Sequence, residues 1–87
     1  MFTERAHQEM GTLIKRARQH AGLTQAALAK RLGYRSPQFV SNWERSESLP
    51  PIQTLPKIAK VTRTRYGDFT GILKRDFDRV LKTAEKN

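Results

Sequence analysis

The chain has 87 residues, and its 17 Lys and Arg against 8 Asp and Glu give a formal net charge of +9. That length suits one small domain with a single core, so we treat residues 1–87 as one domain. A cationic excess of this size in a short chain indicates a polyanionic partner, of which nucleic acid is the foremost example. The absence of cysteine excludes disulfides, thiolate catalysis and cysteine-based zinc sites.

No apolar run approaches the ~20 residues of a membrane-spanning helix, and the N-terminus lacks the apolar segment of a signal peptide. We therefore expect a cytoplasmic protein without a membrane partner. The only histidines, His7 and His20, have no partner at a spacing that suits a metal, so we expect neither a metal nor another cofactor.

A first helix is predicted from Thr3, which can cap its N-terminus, to about His20, after which Gly22 can adopt a left-handed C-cap conformation. Apolar residues recur along this helix at helical spacing: Ala6, Met10, Leu13, Ile14, Ala17 and Ala21. Gly11 interrupts the stripe and weakens the helix there. We expect either a kink at Gly11 or a short N-terminal arm of residues 1–9, and we favour the arm.

Two short helices joined by a glycine turn are predicted next. Thr24 can cap the second helix, and Gly33 can close it with a positive φ. The buried face of that helix is expected to be Leu28, Ala29 and Leu32. Ser36 can cap the third helix, with Pro37 at the first helical position.

The rest of the chain predicts two more helices. Leu49, Pro50 and Pro51 indicate an extended linker, and Pro56 requires the fourth helix to begin near Thr54 or Leu55. Thr64 can cap the fifth helix, in which residues 72–84 form the more regular amphipathic segment. No strand pattern occurs, so the predicted fold class is all-α.

The third helix is predicted to carry a polar face suited to DNA bases. At about 100° per residue, one arc of this helix collects Gln38, Ser41, Asn42 and Arg45. Solvated helix faces favour Lys and Glu, whereas amides match the N6/N7 edge of adenine and Arg matches the O6/N7 edge of guanine. The opposite side carries Phe39, Val40 and Trp43, which are expected to be buried. For Phe39, contact with a thymine methyl group is the alternative to core packing.

Several segments together match one known pattern: Met10–Arg18, Gly22–Gln25, Leu28–Ala29, Leu32–Gly33, and Val40, Trp43 and Glu44. Over roughly residues 10–61 the chain thus resembles the phage repressor/Cro-like (XRE-type) helix-turn-helix family. The resemblance implies a five-helix repressor-like bundle in which helices 2 and 3 form the helix-turn-helix.

The resemblance also implies roles for individual residues. Gln38 and Asn42 match positions at which such proteins place base-contacting side chains, and Ser41 and Arg45 share their face. Thr24 and Gln25 would meet a phosphate at the start of the second helix. Arg18 and Glu44 match a pair that forms an internal salt bridge, so Glu44 would be structural.

Two departures from the family pattern concern the DNA-binding side. The turn before the third helix is one residue longer than usual, and we expect Tyr34, Arg35 and Ser36 there to reach phosphates. After Glu44, where the family has a glycine and then basic residues, this chain has Ser46 and the acidic Glu47. Arg45 is then the main cation of this loop.

An apolar stripe runs along the last helix among basic residues: Ile72, Leu73, Phe77, Val80 and Leu81. It can either close the five-helix core or pair two copies of the chain, and we favour a homodimer because the stripe continues well beyond Phe69. A dimer would read two half-sites about 34–36 Å apart.

These observations lead to one main functional prediction and one alternative. The main prediction is a sequence-specific regulator of transcription that binds double-stranded DNA, a repressor that acts as a dimer on a palindromic operator. The alternative is an antitoxin-type protein that binds a toxin partner and regulates its own operon. RNA binding is disfavoured because the aromatic residues are assigned to the core. An enzyme is disfavoured because no nucleophile–base pair, phosphate loop or carboxylate pair is found, and no small-molecule ligand is indicated.

Overall fold

The computed structural model describes residues 2–86, and this part of the chain forms five α-helices, one 3₁₀ turn and no strand. The predicted all-α, five-helix architecture is confirmed. The helices are α1 (Glu4–His20), α2 (Gln25–Arg31), α3 (Gln38–Glu44), α4 (Leu55–Thr62) and α5 (Tyr66–Lys86), with the 3₁₀ turn at Ile52–Thr54 directly before α4.

The core forms where one apolar stripe from each helix meets the others. Helix α1 is central, because it packs against α3, α4 and α5, while α2 packs against α3. The buried apolar residues are Ala6, Met10, Ile14, Ala17, Leu28, Ala29, Val40, Trp43, Leu55, Ile58, Ala59, Phe69 and Ile72. Trp43 is the largest of them, so the C-terminal half of α3 is anchored by the side chain that removes the most apolar surface from water.

Helix α1 is continuous through Gly11, and this corrects the prediction of a separable arm of residues 1–9. Residues 4–9 are the first turns of α1, and Ala6 among them is fully buried. Met1 of the predicted arm lies outside the described residues. Gly11 is required by helix packing, because a Cβ at this position would lie 2.5 Å from the Trp43 carbonyl oxygen. Glycine at this position therefore allows α1 and α3 to approach each other closely.

Most predicted helix ends are confirmed. The hydroxyl groups of Thr3 and Thr24 accept hydrogen bonds from the backbone N–H groups of Ala6 and Ala27, at 3.3 and 3.0 Å. Gly22 and Gly33 follow α1 and α2 with φ of 74° and 93°, values that side chains with a Cβ rarely adopt. Helix α4 begins at Leu55 with Pro56 in its first turn, as the missing N–H of proline requires.

Two predicted caps are wrong in detail. Helix α3 begins at Gln38, one residue later than expected, and the Ser36 hydroxyl accepts only a long 3.4 Å hydrogen bond from the Gln38 N–H. The Thr64 hydroxyl bonds to that of Thr62 at 3.0 Å and does not cap α5, which begins at Tyr66. Both differences arise at turns whose backbone N–H groups bond back to the preceding helix, Tyr34 to the Ala29 carbonyl oxygen and Thr64 to that of Ala59, each at 2.9 Å. Helical periodicity does not reveal these turns.

A buried carboxylate fastens the start of α1 to α5. Asp76 is fully buried, and it accepts hydrogen bonds from the Thr3 backbone N–H at 2.9 Å, from the Thr3 hydroxyl and from Arg79 Nη2 at 3.0 Å. Burial raises the pKa of Asp76, but the hydrogen bonds from Thr3 and the charge of Arg79 outweigh burial and leave this pKa below the ordinary value. The ionised form of Asp76 is therefore the one that the fold stabilises.

We predict that Asp76→Asn lowers the melting temperature near neutral pH by roughly 5–10 °C, because an amide cannot accept all three hydrogen bonds. A carboxylate whose pKa is lower in the folded state stabilises the fold fully only above its unfolded pKa, here about 3.8. The stability advantage of the wild type over the variant is thus expected to shrink as the pH falls below this value and to be lost as it falls through the lower folded-state pKa. Thermal unfolding followed by circular dichroism between pH 7 and pH 2 measures it. The control is Asp78→Asn, an exposed carboxylate on the same helix, and matching pH profiles for the two variants would contradict the role of Asp76.

Candidate nucleic-acid interface

The polar face predicted on α3 exists as a connected group of side chains. The Asn42 Oδ1 atom accepts hydrogen bonds from Gln38 Nε2 at 2.8 Å and from Arg45 Nη2 at 3.0 Å. Gln38 and Arg45 are exposed, and Ser41 and Asn42 are half-buried. These hydrogen bonds hold the amide of Asn42 in one orientation before any ligand arrives, and its NH₂ group has no hydrogen-bond partner among residues 2–86. The face therefore presents amide donors and acceptors side by side.

Phe39 does not pack in the core, and this corrects the helical-wheel assignment. Its side chain is 52% exposed, whereas Val40 and Trp43 are buried as predicted. The ring packs against Tyr34, with centroids 4.9 Å apart. Tyr34 comes from the longer turn before α3 and lies against the Trp43 ring, with centroids 5.9 Å apart. The space beside Trp43 that the wheel assigned to Phe39 is thus taken by Tyr34.

A buried ion pair joins the C-terminal end of α3 to α1. Arg18 of α1 donates to Glu44 of α3 through Nε at 2.6 Å and through Nη2 at 3.0 Å, and through Nη1 to the Leu23 carbonyl oxygen at 2.8 Å. The two charged side chains are only 11% and 3% exposed. The hydrogen bond to Glu44 raises the pKa of Arg18 above its already high ordinary value, so the guanidinium stays charged. This bidentate pair is the arrangement predicted for Arg18 and Glu44.

Gln25 belongs to the same cluster, which the sequence did not suggest. Its Nε2 atom donates to Glu44 Oε1 at 3.0 Å, so one amide proton of Gln25 is already engaged inside the protein. The second amide proton remains to donate to the phosphate predicted from the family resemblance. The immediate effect of Gln25 is to attach the start of α2 to the pair that already joins α1 and α3.

Of the other predicted phosphate ligands, three lie in the turn before α3 (Tyr34, Arg35 and Ser36), and Thr24 directly precedes α2. Thr24, Arg35 and Ser36 are exposed, and Tyr34 is half-buried. Arg35 forms no ion pair with any of residues 2–86. The segments 10–43 and 48–67 contain no Asp or Glu. The acidic residues of α2, α3 and the loops that flank them are therefore limited to Glu44, which Arg18 neutralises, and Glu47.

The loop after α3 follows a glycine-like path without a glycine. Ser46 has a φ of 64°, and its N–H and that of Glu47 return to the Trp43 and Asn42 carbonyl oxygens at 3.1 and 2.9 Å. This path places the Glu47 carboxylate 3.3 Å from Arg45 Nη2. Both side chains are more than half exposed, so the pair is weak, but it reduces the positive potential at the end of the polar face.

The five residues of the predicted dimer stripe divide into two groups. Ile72 is buried in the core, and Leu73 is half-buried against it, so these two close the monomer and do not form a free surface. Phe77, Val80 and Leu81 are exposed to solvent on α5. Ile72 faces inward because α5 packs on both α1 and α4 over its first half.

Within residues 2–86, no group of three or more His, Asp or Glu side chains is placed so that it could hold a metal ion. None of the helices in that range is both long enough and apolar enough to cross a bilayer.

We predict that Glu44→Ala lowers the free energy of unfolding by about 3–5 kcal/mol, because it leaves Arg18 buried without its partner. Replacing both charges, in Arg18→Met with Glu44→Leu, should recover much of that loss, since the uncompensated charge is then absent. Urea unfolding followed by the fluorescence of Trp43, the single tryptophan, measures both effects. The matched control is Glu47→Ala, which removes an exposed ion pair worth about 0–1 kcal/mol. A loss for Glu44→Ala no larger than that for Glu47→Ala would contradict the structural importance of the pair.

Comparison with known proteins identifies the family. Residues 14–69 match the family model for the helix-turn-helix domain HTH_3, and these residues include α2, α3 and α4 completely. The solved structures include a similar one, the crystal structure of an HTH_3 family transcriptional regulator from Vibrio cholerae. It has 30% sequence identity and a TM-score of 0.66, over 79% of this chain and 39% of that protein, so this chain spans well under half of its relative's length. Among curated proteins no sequence matches. The chain belongs to the XRE-type (HTH_3) helix-turn-helix family.

Proposed function

We propose that this protein is a DNA-binding transcriptional regulator that reads a specific sequence in double-stranded DNA through α3, as a repressor that acts as a homodimer on a palindromic operator. The observation that carries the proposal is the hydrogen-bonded group of Gln38, Asn42 and Arg45 on the exposed face of α3. Membership of a helix-turn-helix family and the likeness to a transcriptional regulator support it.

The chemistry of this face suits the major groove of DNA. An Asn or Gln amide can accept a hydrogen bond from adenine N6 and donate one to adenine N7, and Arg can donate two to guanine. Asn42 Oδ1 already accepts two hydrogen bonds, so bidentate contact with adenine requires Gln38 or Arg45 to release it. The released side chain is then free to reach a neighbouring base. Binding therefore exchanges hydrogen bonds within the protein for hydrogen bonds to DNA. The polar atoms of the face then have hydrogen-bond partners in both the free and the bound protein.

Phosphate contacts would supply most of the affinity. The formal net charge of +9 and the acid-free segments around α2 and α4 favour a polyanion. A protein that makes about six to ten phosphate contacts loses roughly 10³–10⁵ in affinity between about 50 and 200 mM salt. Binding of this chain to any duplex is expected to show a steep salt dependence of this kind. On the cognate site, the contacts to bases add further affinity.

The exposed residues of α5 support the dimer. Val80 and Leu81 lie three and four residues after Phe77, so the three side chains form one apolar face on a helix that is otherwise largely charged. A two-fold axis through this face would bring two copies together symmetrically and present two α3 helices to successive half-sites. The same face is the one that a toxin partner would use in the alternative, antitoxin-type function.

We predict that Asn42→Ala or Gln38→Ala weakens binding to the cognate duplex by roughly 5–150-fold, and that discrimination is lost at the base pair concerned. Selection from randomised duplex DNA supplies the cognate site, and titration of a fluorescent duplex at fixed salt measures the affinity. The control is Gln8→Ala, which removes an exposed amide from α1. An equal loss of affinity for cognate and unrelated duplexes would contradict base reading by α3.

We predict that Leu81→Glu shifts the protein from a dimer towards the chain mass of 10.0 kDa, because a charge is placed in the apolar face. Sedimentation equilibrium measures the mass, and Lys74→Glu, an exposed residue of the same helix, is the control. A wild-type protein that stays monomeric at tens of micromolar would rule out the homodimer and leave the face for a different protein.

A further inference from the structure

Phe39 is an exposed aromatic side chain next to the polar face of α3. Slightly more than half of its surface, 52%, is open to solvent, although it lies between Gln38 and Val40 on a helix whose other large apolar residues are buried. Leaving a phenylalanine ring in water forfeits a large part of the free energy that its burial would provide. Single exposed apolar residues are common, and Phe39 is distinguished from them by its place beside a face proposed to read bases, some of which carry an apolar group.

The Phe39 ring is held in place by a short series of aromatic contacts. It packs against Tyr34 with an interplanar angle of 40°, and Tyr34 meets Trp43 edge-on at 71°. Trp43 is buried in the core and thus anchors the series. A rigid ring with only two side-chain torsions loses little entropy when a ligand group contacts it. Phe39 is therefore presented as a preorganised apolar surface.

The position of Phe39 on α3 determines what the ring would meet in a DNA groove. Phe39 and Asn42 are three residues apart, and side chains at this spacing are neighbours on a helix surface, about 5–6 Å from each other. Successive base pairs are separated by about 3.4 Å. A ring beside Asn42 would thus lie over a base within about two pairs of the one that Asn42 contacts.

The major groove of standard DNA offers one apolar group, the C5-methyl of thymine, and apolar side chains such as Phe recognise it. We propose that Phe39 is a specificity-determining residue that selects a thymine within about two base pairs of the adenine read by Asn42, through contact with its C5-methyl group. Tyr34 is the positioning residue that holds the ring. The proposal rests on the proposed function. It adds one base pair to the recognised sequence that the hydrogen bonds from Gln38, Asn42 and Arg45 would not specify.

A purely structural role for Phe39 predicts different behaviour. If the ring only covered Tyr34, its removal would lower the stability of the fold and weaken binding to every duplex equally. Recognition of a methyl group instead predicts an effect confined to one base position in each half-site. The two roles are separated by changing the DNA and leaving the protein intact.

The experiment replaces each thymine of the selected duplex, one at a time, by deoxyuridine, which lacks the methyl group and keeps the same hydrogen-bonding edge. Wild-type protein is expected to lose roughly fourfold in affinity at one thymine per half-site, the value of burying about one methyl group. Phe39→Ala is expected to bind the thymine and deoxyuridine duplexes equally at this position. Tyr66→Ala, which removes an aromatic residue of similar exposure (46%) from the start of α5, should retain the wild-type difference.

The wild-type measurement does not depend on any variant being folded, and Phe39→Leu keeps an apolar contact if Phe39→Ala unfolds. Wild-type protein that is insensitive to deoxyuridine at every thymine would overturn the proposal, as would full sensitivity retained by Phe39→Ala. If Asn42→Ala still reduces discrimination in that case, the role of Phe39 alone has failed. If Asn42→Ala also leaves discrimination intact, base reading by α3 has failed, and the Phe39 proposal fails with it.

Discussion

The buried ion pair between Arg18 and Glu44 is the interaction on which the orientation of α3 depends. Burying two charges is costly unless each is fully hydrogen-bonded, and here Arg18 also binds the Leu23 carbonyl oxygen while Glu44 also binds Gln25. The cluster thereby joins α1, the loop after it, the start of α2 and the end of α3. A shift of α3 along its own axis would leave charged atoms buried and unpaired, so the structure permits essentially one position for the polar face.

Close packing of α1 against α3 allows the ion pair to form, and aromatic contacts hold the other end of α3. Gly11 lets α1 approach the Trp43 carbonyl oxygen closely. Arg18 lies seven residues after Gly11 on α1 and Glu44 follows Trp43 on α3, so the same close approach brings the two charges together. At the N-terminal end of α3, Tyr34 and Phe39 pack together and connect to Trp43. The helix is thus fixed at both ends, by charge at one and by aromatic packing at the other, and its polar side chains are displayed between them.

The helices and the polar face were predictable because they depend on local chemistry. Capping by Thr3 and Thr24, the first-turn position of Pro56 and the spacing of Gln38 and Asn42 each follow from a few neighbouring residues. Gly11, Phe39, Gln25 and Ile72 were assigned incorrectly or incompletely, because their roles depend on which element packs against them. A helical wheel states that Phe39 is apolar and lies beside Trp43, but only the path of the longer turn shows that Tyr34 fills that space. Likewise, periodicity finds the apolar stripe on α5 but does not show which of its residues are buried in the core and which are exposed.

Titration of isotopically labelled protein with the selected duplex, followed by NMR, tests most directly whether DNA is read by α3. The side-chain amide resonances of Asn42 and Gln38 are expected to shift most, together with backbone amides of residues 34–45, because contact with bases replaces the hydrogen bonds that link these side chains. An unrelated duplex at the same salt concentration should shift backbone amides in the turn before α3 but leave the Asn42 side-chain amide nearly unchanged. Base reading by α3 is contradicted if the largest changes on the selected duplex fall in α4 or α5 while the side-chain amide resonances of Gln38 and Asn42 do not shift.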